Sequence, residues 1–546
     1  MADNELPRRS ARRVLCCNKN NRRRKSFPNR VLAEAGEAFN LIEEITMATA
    51  SMENADVVVV GAGNAAAAAA LAAREHGCNV IILEAAPEEE CGGNSRYTAG
   101  ITRLVFNNAD DIAELVPDLT QEERRDNDFG SFTADEYFDT MGRITNYRCD
   151  PDLTEILVHR SHPTWVWLRK KGVKFQLSYK RQAFKVDGKW KFWGGLAVET
   201  WGGGPGLVDL EHKACAREGI PIYYETPAIG LIADDDGVKG IRAKHKGKVV
   251  DIKCKAVVLA CGGFESNAEM RARYLGPNWD LAKVRGTRFN TGAGLKMAME
   301  VGAMPFGHWS GCHAVGWDQN APPFGDLAVG DNFQKHCYPW GIMVNANGER
   351  FVDEGADFRN YTYAKYGGVI LSQPNMFAWQ IFDQKIVPSL RDEYRIKQIT
   401  KVTANTLEEL VTKLDGVNPE ACLRELKAYN AAVRRDIPYN PAIKDGKCTE
   451  GLKVNKTNWA NVLDEPPYEA YAVTCGVTFS FGGVKIDPAN GQVQDQAGQG
   501  ITGLYAAGEM VGGLFYHNYP GGTGLTSGAV FGKLAGDGAG AFVAKK

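Results

Sequence analysis

The 13 cysteines of this chain form no Cys-X-X-Cys pair, and their odd number and scattered spacing match neither a disulfide framework nor a zinc site. Reduced thiols in the cytoplasm are the expectation, and no metal site is expected. No apolar run is long enough to cross a bilayer. The alanine-rich stretch at 65–73 comes nearest in composition and is far too short, so no integral membrane segment is expected. A formal net charge of −2 creates no overall field for a polyanion, and no nucleic-acid partner is expected. Histidine is scarce, and none occurs between His76 and His159.

What remains is an ordinary globular composition, 44% hydrophobic and 24% charged, in a chain of 546 residues. That length suits two to four ordinary domains, or one large α/β enzyme with an insertion. Residues 1–54 are of a different kind: ten basic residues and no acid lie between Arg8 and Arg30. A disordered tail is the expectation there, with organelle targeting or a nucleic-acid-binding arm as alternatives.

The most informative stretch follows directly. Val57-Val58-Val59-Val60 is an apolar run bounded by glycine, as suits a buried parallel strand. Gly61-Ala62-Gly63-Asn64-Ala65-Ala66 then opens an alanine-rich helix. Gly61 permits a tight turn, Gly63 lets the backbone approach a pyrophosphate, and Ala66 keeps helix and strand close. The helix offers its N-terminal amides, Asn64 and Ala65 first, to phosphates. Glu84 ends the next strand, where a carboxylate can accept hydrogen bonds from ribose hydroxyls. A second apolar segment, Gly503-Leu504-Tyr505-Ala506-Ala507-Gly508-Glu509, reads as the other half of the same site. Together the two halves predict FAD.

Further blocks carry small residues in the same manner. Cys91-Gly92-Gly93-Asn94-Ser95 would let the backbone run along the ribityl chain and diphosphate. Val257 to Gly262-Gly263 reads as another buried strand ending in a glycine pair, and Thr291-Gly292-Ala293-Gly294 opens a helix. Residues 151–175 read as a helix with Trp167 in the core. Trp201 to Gly206 reads as a loop curving around a ligand, and 226–255 as a β-meander. Residues 306–345 show sparse periodicity, whereas 404–436 are strongly helical.

In this order the blocks resemble the FAD-dependent fumarate reductase and succinate dehydrogenase flavoprotein family, over about residues 55–540. Arg350-Phe351-Val352-Asp353-Glu354 with Arg359, and Gly513 to Pro520, look most like tricarballylate dehydrogenases within it. The resemblance implies a Rossmann-like α/β FAD-binding domain of the glutathione-reductase type, formed by 55–305 and 471–540. An α+β capping domain, 306–470, would be inserted between them. It adds Ala228, Gly524 and Leu525 to the cofactor contacts and gives Glu509 the ribityl hydroxyls. Relatives that tether FAD covalently do so through a histidine before the small-residue block; this chain has none there, so the FAD is expected to be non-covalent.

Carried over residue by residue, the resemblance makes Arg359 the proton-transfer residue, one position later than the family's spacing. An arginine is not a base by itself, so a relay is needed, with Asp357 and Glu354 nearest in sequence. His313 matches a carboxylate-binding histidine, and His517 stands near the position of another anchor. Thr478-Phe479-Ser480-Phe481 replaces the family's second histidine, which argues against fumarate itself. Tyr519-Pro520-Gly521 resembles ketosteroid dehydrogenases, in which a tyrosine polarises a ketone. The expected activity is dehydrogenation of a small, tricarballylate-like polycarboxylic acid, with Arg96, Arg103, Arg288 or Arg359 as cations. A ketosteroid-type dehydrogenase or ene-reductase, and a non-catalytic flavoprotein, stay open. No internal FMN, haem or iron–sulfur motif is present, so a separate protein or quinone acceptor is expected.

Overall fold

The computed structural model describes Met52, residues 55–192 and residues 194–545. The expectations for the basic segment up to Arg30 lie outside the described residues. Strand β1 (Val57–Val60) leads through Gly61 into α1 (Asn64–Glu75) and returns as β2 (Val80–Leu83). Every residue of both strands is buried, as their unbroken aliphatic runs require between two covered faces. Gly61 has φ +99°, and a Cβ there would lie 2.5 Å from the carbonyl oxygen of Ala260, so only glycine fits the turn.

Helix α2 (Pro151–Lys170) starts at the side-chain cap of Asp150 with proline in its first turn. Trp165 is its core tryptophan; Trp167 is half-buried instead, its indole donating to Glu75 beside Lys533. Helix α3 (Gly203–Arg217) follows, and its glycine-rich start packs against the backbone of Ser95 and Thr98. Trp201 is exposed and no residue from 201 to 206 lines the cavity described below. The glycines there serve close packing of a helix start rather than a ligand. On the same helix Glu211 is fully buried with no partner for either carboxylate oxygen, and burial alone raises its pKa.

The sheet continues through β3 (Ile222–Tyr223). The expected meander forms as β4 (Ala228–Asp234), β5 (Gly237–His245) and β6 (Lys248–Lys253), antiparallel throughout. Strand β7 (Ala256–Leu259) then pairs with β1 in parallel, Val57 opposite Ala256. A long strand, β8 (Pro305–Asp318), occupies the region of sparse periodicity; its aromatics and glycines hide the alternation. Strand β9 (Ile342–Asn345), helix α4 (Tyr363–Leu371) and strand β10 (Ala378–Phe382) come next. Helices Leu407–Lys413 and Pro419–Ala432 make up the strongly helical stretch, with Leu410 and Leu426 in a cluster around Ile342 and Trp379.

Strand β11 (Tyr468–Val484) is the longest and holds the second sheet together, pairing with β8, β10 and the short strands at 283–284 and 401–404. Pairing runs from Pro305 opposite Val484 to Asp318 opposite Val473. The boundaries expected at 305/306 and 470/471 therefore run inside one sheet. Strands β12 (Gln492–Gln494) and β13 (Gly500–Ala506) close the first sheet in the order β12-β13-β7-β1-β2-β3. Helix α5 (Thr523–Ala544) covers α1 through a seam of glycines. A Cβ at Gly532 or Gly536 would lie 2.4 or 2.2 Å from a carbonyl oxygen of α1. Small residues along one ridge are what allow two helices this approach. Among the described residues no helix is long and apolar enough to cross a membrane.

Candidate functional site

One continuous cavity runs from the β1–α1 turn, past the ends of β7 and β13, to the β8–β11 pair. Its first half is built by backbone. Gly61, Gly63, Asn64 and Ala65 line it from the turn, and Gly93, Asn94 and Ser95 from the small-residue block. The side chain of Ser95 accepts the Asn64 N–H at 3.2 Å, which fixes the two segments against each other. Asn64 donates through its side chain to the carbonyl of Leu525 at 2.7 Å, while its own Oδ1 is buried without a partner. Gly63 gives no side-chain cap to α1, so beyond the Asn64 N–H held by Ser95 the next amide, on Ala65, stays open to an anion. Glu84 lies at the end of β2 with Oε1 accepting the Ala86 N–H at 2.8 Å. Ala228, Gly262, Gly524 and Leu525 complete this half.

Gly92 and Gly263, expected as cofactor contacts, do not line the cavity. Gly92 has φ +98° and starts the short helix that presents Gly93 to Ser95; Gly263 makes room for Glu509, whose Oε1 would be 2.1 Å from a Cβ there. Glu509 lines the cavity, with its Oε1 accepting from the N–H and hydroxyl of Ser480 at 2.6 and 2.9 Å. Behind it sits Glu265, absent from the sequence reading, whose Oε1 accepts from Asn94 and Asn290. Burial raises the pKa of both carboxyls, and their mutual repulsion raises Glu265 further. An open helix N-terminus, an orphaned Asn64 oxygen and acids at two points along a narrow cleft fit a dinucleotide carrying ribose and ribityl hydroxyls.

The second half is built by side chains. His313 projects from β8 beside a β-bulge, opposite Phe479 of β11. It is 2% exposed, neither ring nitrogen has a partner, and rings of Tyr363, Phe479 and Tyr519 stand 4.8–5.2 Å from it. Burial, then the nearby Arg285 guanidinium, drives its pKa well below the ordinary value, so the ring is neutral. Arg359 lines the same space, its Nη1 3.4 Å from Nδ1 of His336. Asn360 follows it, 2% exposed, both amide atoms without a partner. Tyr519 accepts the Gly524 N–H at 3.0 Å, and burial raises its pKa.

Several expectations need correction here. His517 is exposed and outside the cavity; its N–H donates to His308 at 3.0 Å, and its φ of +62° turns the chain away. Neither relay candidate reaches Arg359: Glu354 is bound to Arg350, and Asp357 to Arg143 at 2.9 Å. Arg96 pairs with Asp209 and Arg288 with Glu90 near the surface. Arg103 is fully buried but donates to the Gly521 carbonyl and does not line the cavity. Arg285, Asp331, His336, Asn360 and Gln182 do line it and escaped the sequence reading. Of these Asn360 had one available signal, its place directly after Arg359.

The sequence model of the family described as FAD binding domain matches residues 56–525. Among curated relatives, "Probable fumarate reductase Ifc3" of Shewanella frigidimarina is 30% identical over 503 residues, covering 90% of this chain and 76% of that protein. The solved open conformation of a flavocytochrome c3 fumarate reductase is 27% identical, with a TM-score of 0.66 over 92% of this chain and 81% of the other. The 3-ketosteroid Δ1-dehydrogenase of Sterolibacterium denitrificans, 19% identical, shares the fold with a TM-score of 0.69 over 90% of this chain and all of the other. The chain therefore belongs to the FAD binding domain family and is an FAD-dependent oxidoreductase of the fumarate reductase group, acting on CH–CH or C=C bonds.

Proposed function

We propose that this enzyme moves two hydrogens across the CH–CH bond next to a carboxylate in a small carboxylic acid. The carrying observation is Arg359, a guanidinium lining the cavity beside an Asn360 amide and a His313 ring that have no protein partner. Leaving the Asn360 amide and the His313 ring unpaired costs about 1–3 kcal/mol each, and a carboxylate oriented by Arg359 accepts from both. When bound, FAD supplies or accepts the hydride. The residues of the chain do the rest. Arg359 orients the carboxylate and stands at the proton-transfer position, His313 and Asn360 fix the second oxygen or its neighbour, and Phe479 and Tyr363 wall the site from water. Electrons leave to a separate acceptor.

The tricarballylate-like reading asks for several cationic anchors. Arg359 and Arg285 are the guanidiniums lining the cavity, which supports a carboxylic acid but leaves few anchors for three carboxylates. A ketone substrate is the second reading, favoured by the ring of Tyr363 lying 6.2 Å from that of Tyr519, whose hydroxyl could polarise a carbonyl. Anaerobic bleaching of the bound flavin by saturated acids and ketones, and reoxidation of the reduced enzyme by their unsaturated counterparts, tests the proposal. Response to ketones alone would reject it.

A further inference from the structure

The substrate half of the cavity contains an acid that a simple anion clamp does not need. Arg285 donates through Nε to Oδ1 of Asp331 at 2.7 Å, and Asp331 accepts through Oδ2 from Gln334 at 2.8 Å. All three residues line the cavity, and they are 7%, 6% and 2% exposed. Arg285 also donates to the Thr478 hydroxyl at 3.2 Å, which fixes its plane. A carboxylate buried against a guanidinium cancels most of the field that the guanidinium would present to a second anion, and little water is there to screen what remains.

The other groups at this end add little charge. His336 takes a guanidinium N–H on Nδ1, and arginine has no acceptor, so that nitrogen carries no proton. His313 has no acceptor for either ring nitrogen and faces Arg285, an arrangement that disfavours imidazolium. Tyr363 and Tyr519 are neutral phenols. The cations and acids lining this half are thus Arg285, Arg359 and Asp331, which sum to one positive charge. Around that single charge stand neutral hydrogen-bonding groups, Asn360 and the Gln182 carbonyl, with no protein partner, and the half-buried ring of Phe479.

We infer that Asp331 is a specificity-determining residue: by neutralising Arg285 it restricts the site to acids with one ionised carboxylate and an uncharged remainder. The inference rests on the carboxylic-acid reading above and sharpens it. A second carboxylate would have to be buried without a net counter-charge. An uncharged remainder meets the amides and the aromatic ring instead.

Crotonate and fumarate make the test, since they share a four-carbon 2-enoic frame and differ by one carboxylate. Their dissociation constants for the oxidised holoenzyme are measured by calorimetry, and kcat/KM with a reduced dye. The wild type should bind crotonate at least about tenfold more tightly than fumarate. Asp331→Asn keeps the shape and one acceptor for Arg285 while removing the charge. It should move the ratio at least about tenfold toward fumarate, with the FAD content unchanged. A wild type that prefers fumarate, or an Asp331→Asn enzyme that retains FAD with an unaltered ratio, overturns the inference while leaving the carboxylic-acid reading intact. If the variant loses FAD, the wild-type ratio alone decides. Failure of the underlying reading looks different: neither acid binds or reoxidises the flavin, and the inference falls with it.

Discussion

Nη1 of Arg359 and Nδ1 of His336 lie 3.4 Å apart, and only the guanidinium can donate across that contact. Arginine and an unprotonated imidazole nitrogen are therefore coupled at the point where a substrate carboxylate would sit. Arg359→Ala should leave FAD bound, because the residue lies outside the dinucleotide half. It should lower turnover by about 10²–10⁴-fold, the usual range for losing a positioned proton-transfer group. Near-normal kcat in that variant would remove Arg359 from the chemistry.

The cofactor should come away intact. Acid precipitation is expected to release all the flavin as FAD, since no histidine lies between His76 and the Gly93–Ser95 block. Flavin left in the pellet would contradict this. Gly63→Val should abolish FAD binding. A Cβ at Gly63 would already be 3.3 Å from the Gly92 carbonyl oxygen, and the added methyls must then enter the path of the pyrophosphate.

Tyr519→Phe separates the two substrate readings. Its hydroxyl accepts from Gly524, so for a carboxylic acid its loss leaves one N–H unmet and should change kcat/KM less than about tenfold. For a ketone that must enolise, activity should collapse. A dead Tyr519→Phe beside an active Arg359→Ala would replace the carboxylic-acid proposal with the ketone one.

Glu211 gives a pH dependence with a definite sign. Burial holds its pKa well above the ordinary 4.5. Above that pH the unfolded chain has released a proton that the folded chain keeps, so stability falls as pH rises toward the folded-state value. The contribution is complete below 4.5 and lost on passing through the raised value. Glu211→Gln should flatten the decline of Tm with rising pH. An identical slope in the variant would mean that the carboxyl is not buried uncharged.

The dinucleotide half was legible because its determinants are local: the tight turn at Gly61, the helix start at Asn64 and the strand-end Glu84 fall within one β–α–β unit. Glycine at Trp201–Gly206 carries the same local signature without a ligand, because close packing of a helix start explains the composition. Arg285, His336 and Gln182 sit in loops and short turns without periodicity, and only tertiary pairing brings them together. Glu354 and Asp357 show the converse. Nearness in sequence to Arg359 did not carry over into space, because each carboxylate is bound to another cation.

The glycine seam between α1 and α5 also orders biosynthesis. The alanine face of α1 emerges from the ribosome early, whereas the helix that covers it is made after nearly all the rest of the fold. Until Gly532 and Gly536 seat against that face, the nascent chain exposes a smooth apolar stripe, and Asn64 lacks the Leu525 carbonyl that it binds. Long-range contacts of this kind form late and leave intermediates open to aggregation. A chain stopped before residue 523 would carry the flavin fingerprint of the β1–α1 turn without Gly524, Leu525 and Ser527, which line the same cavity.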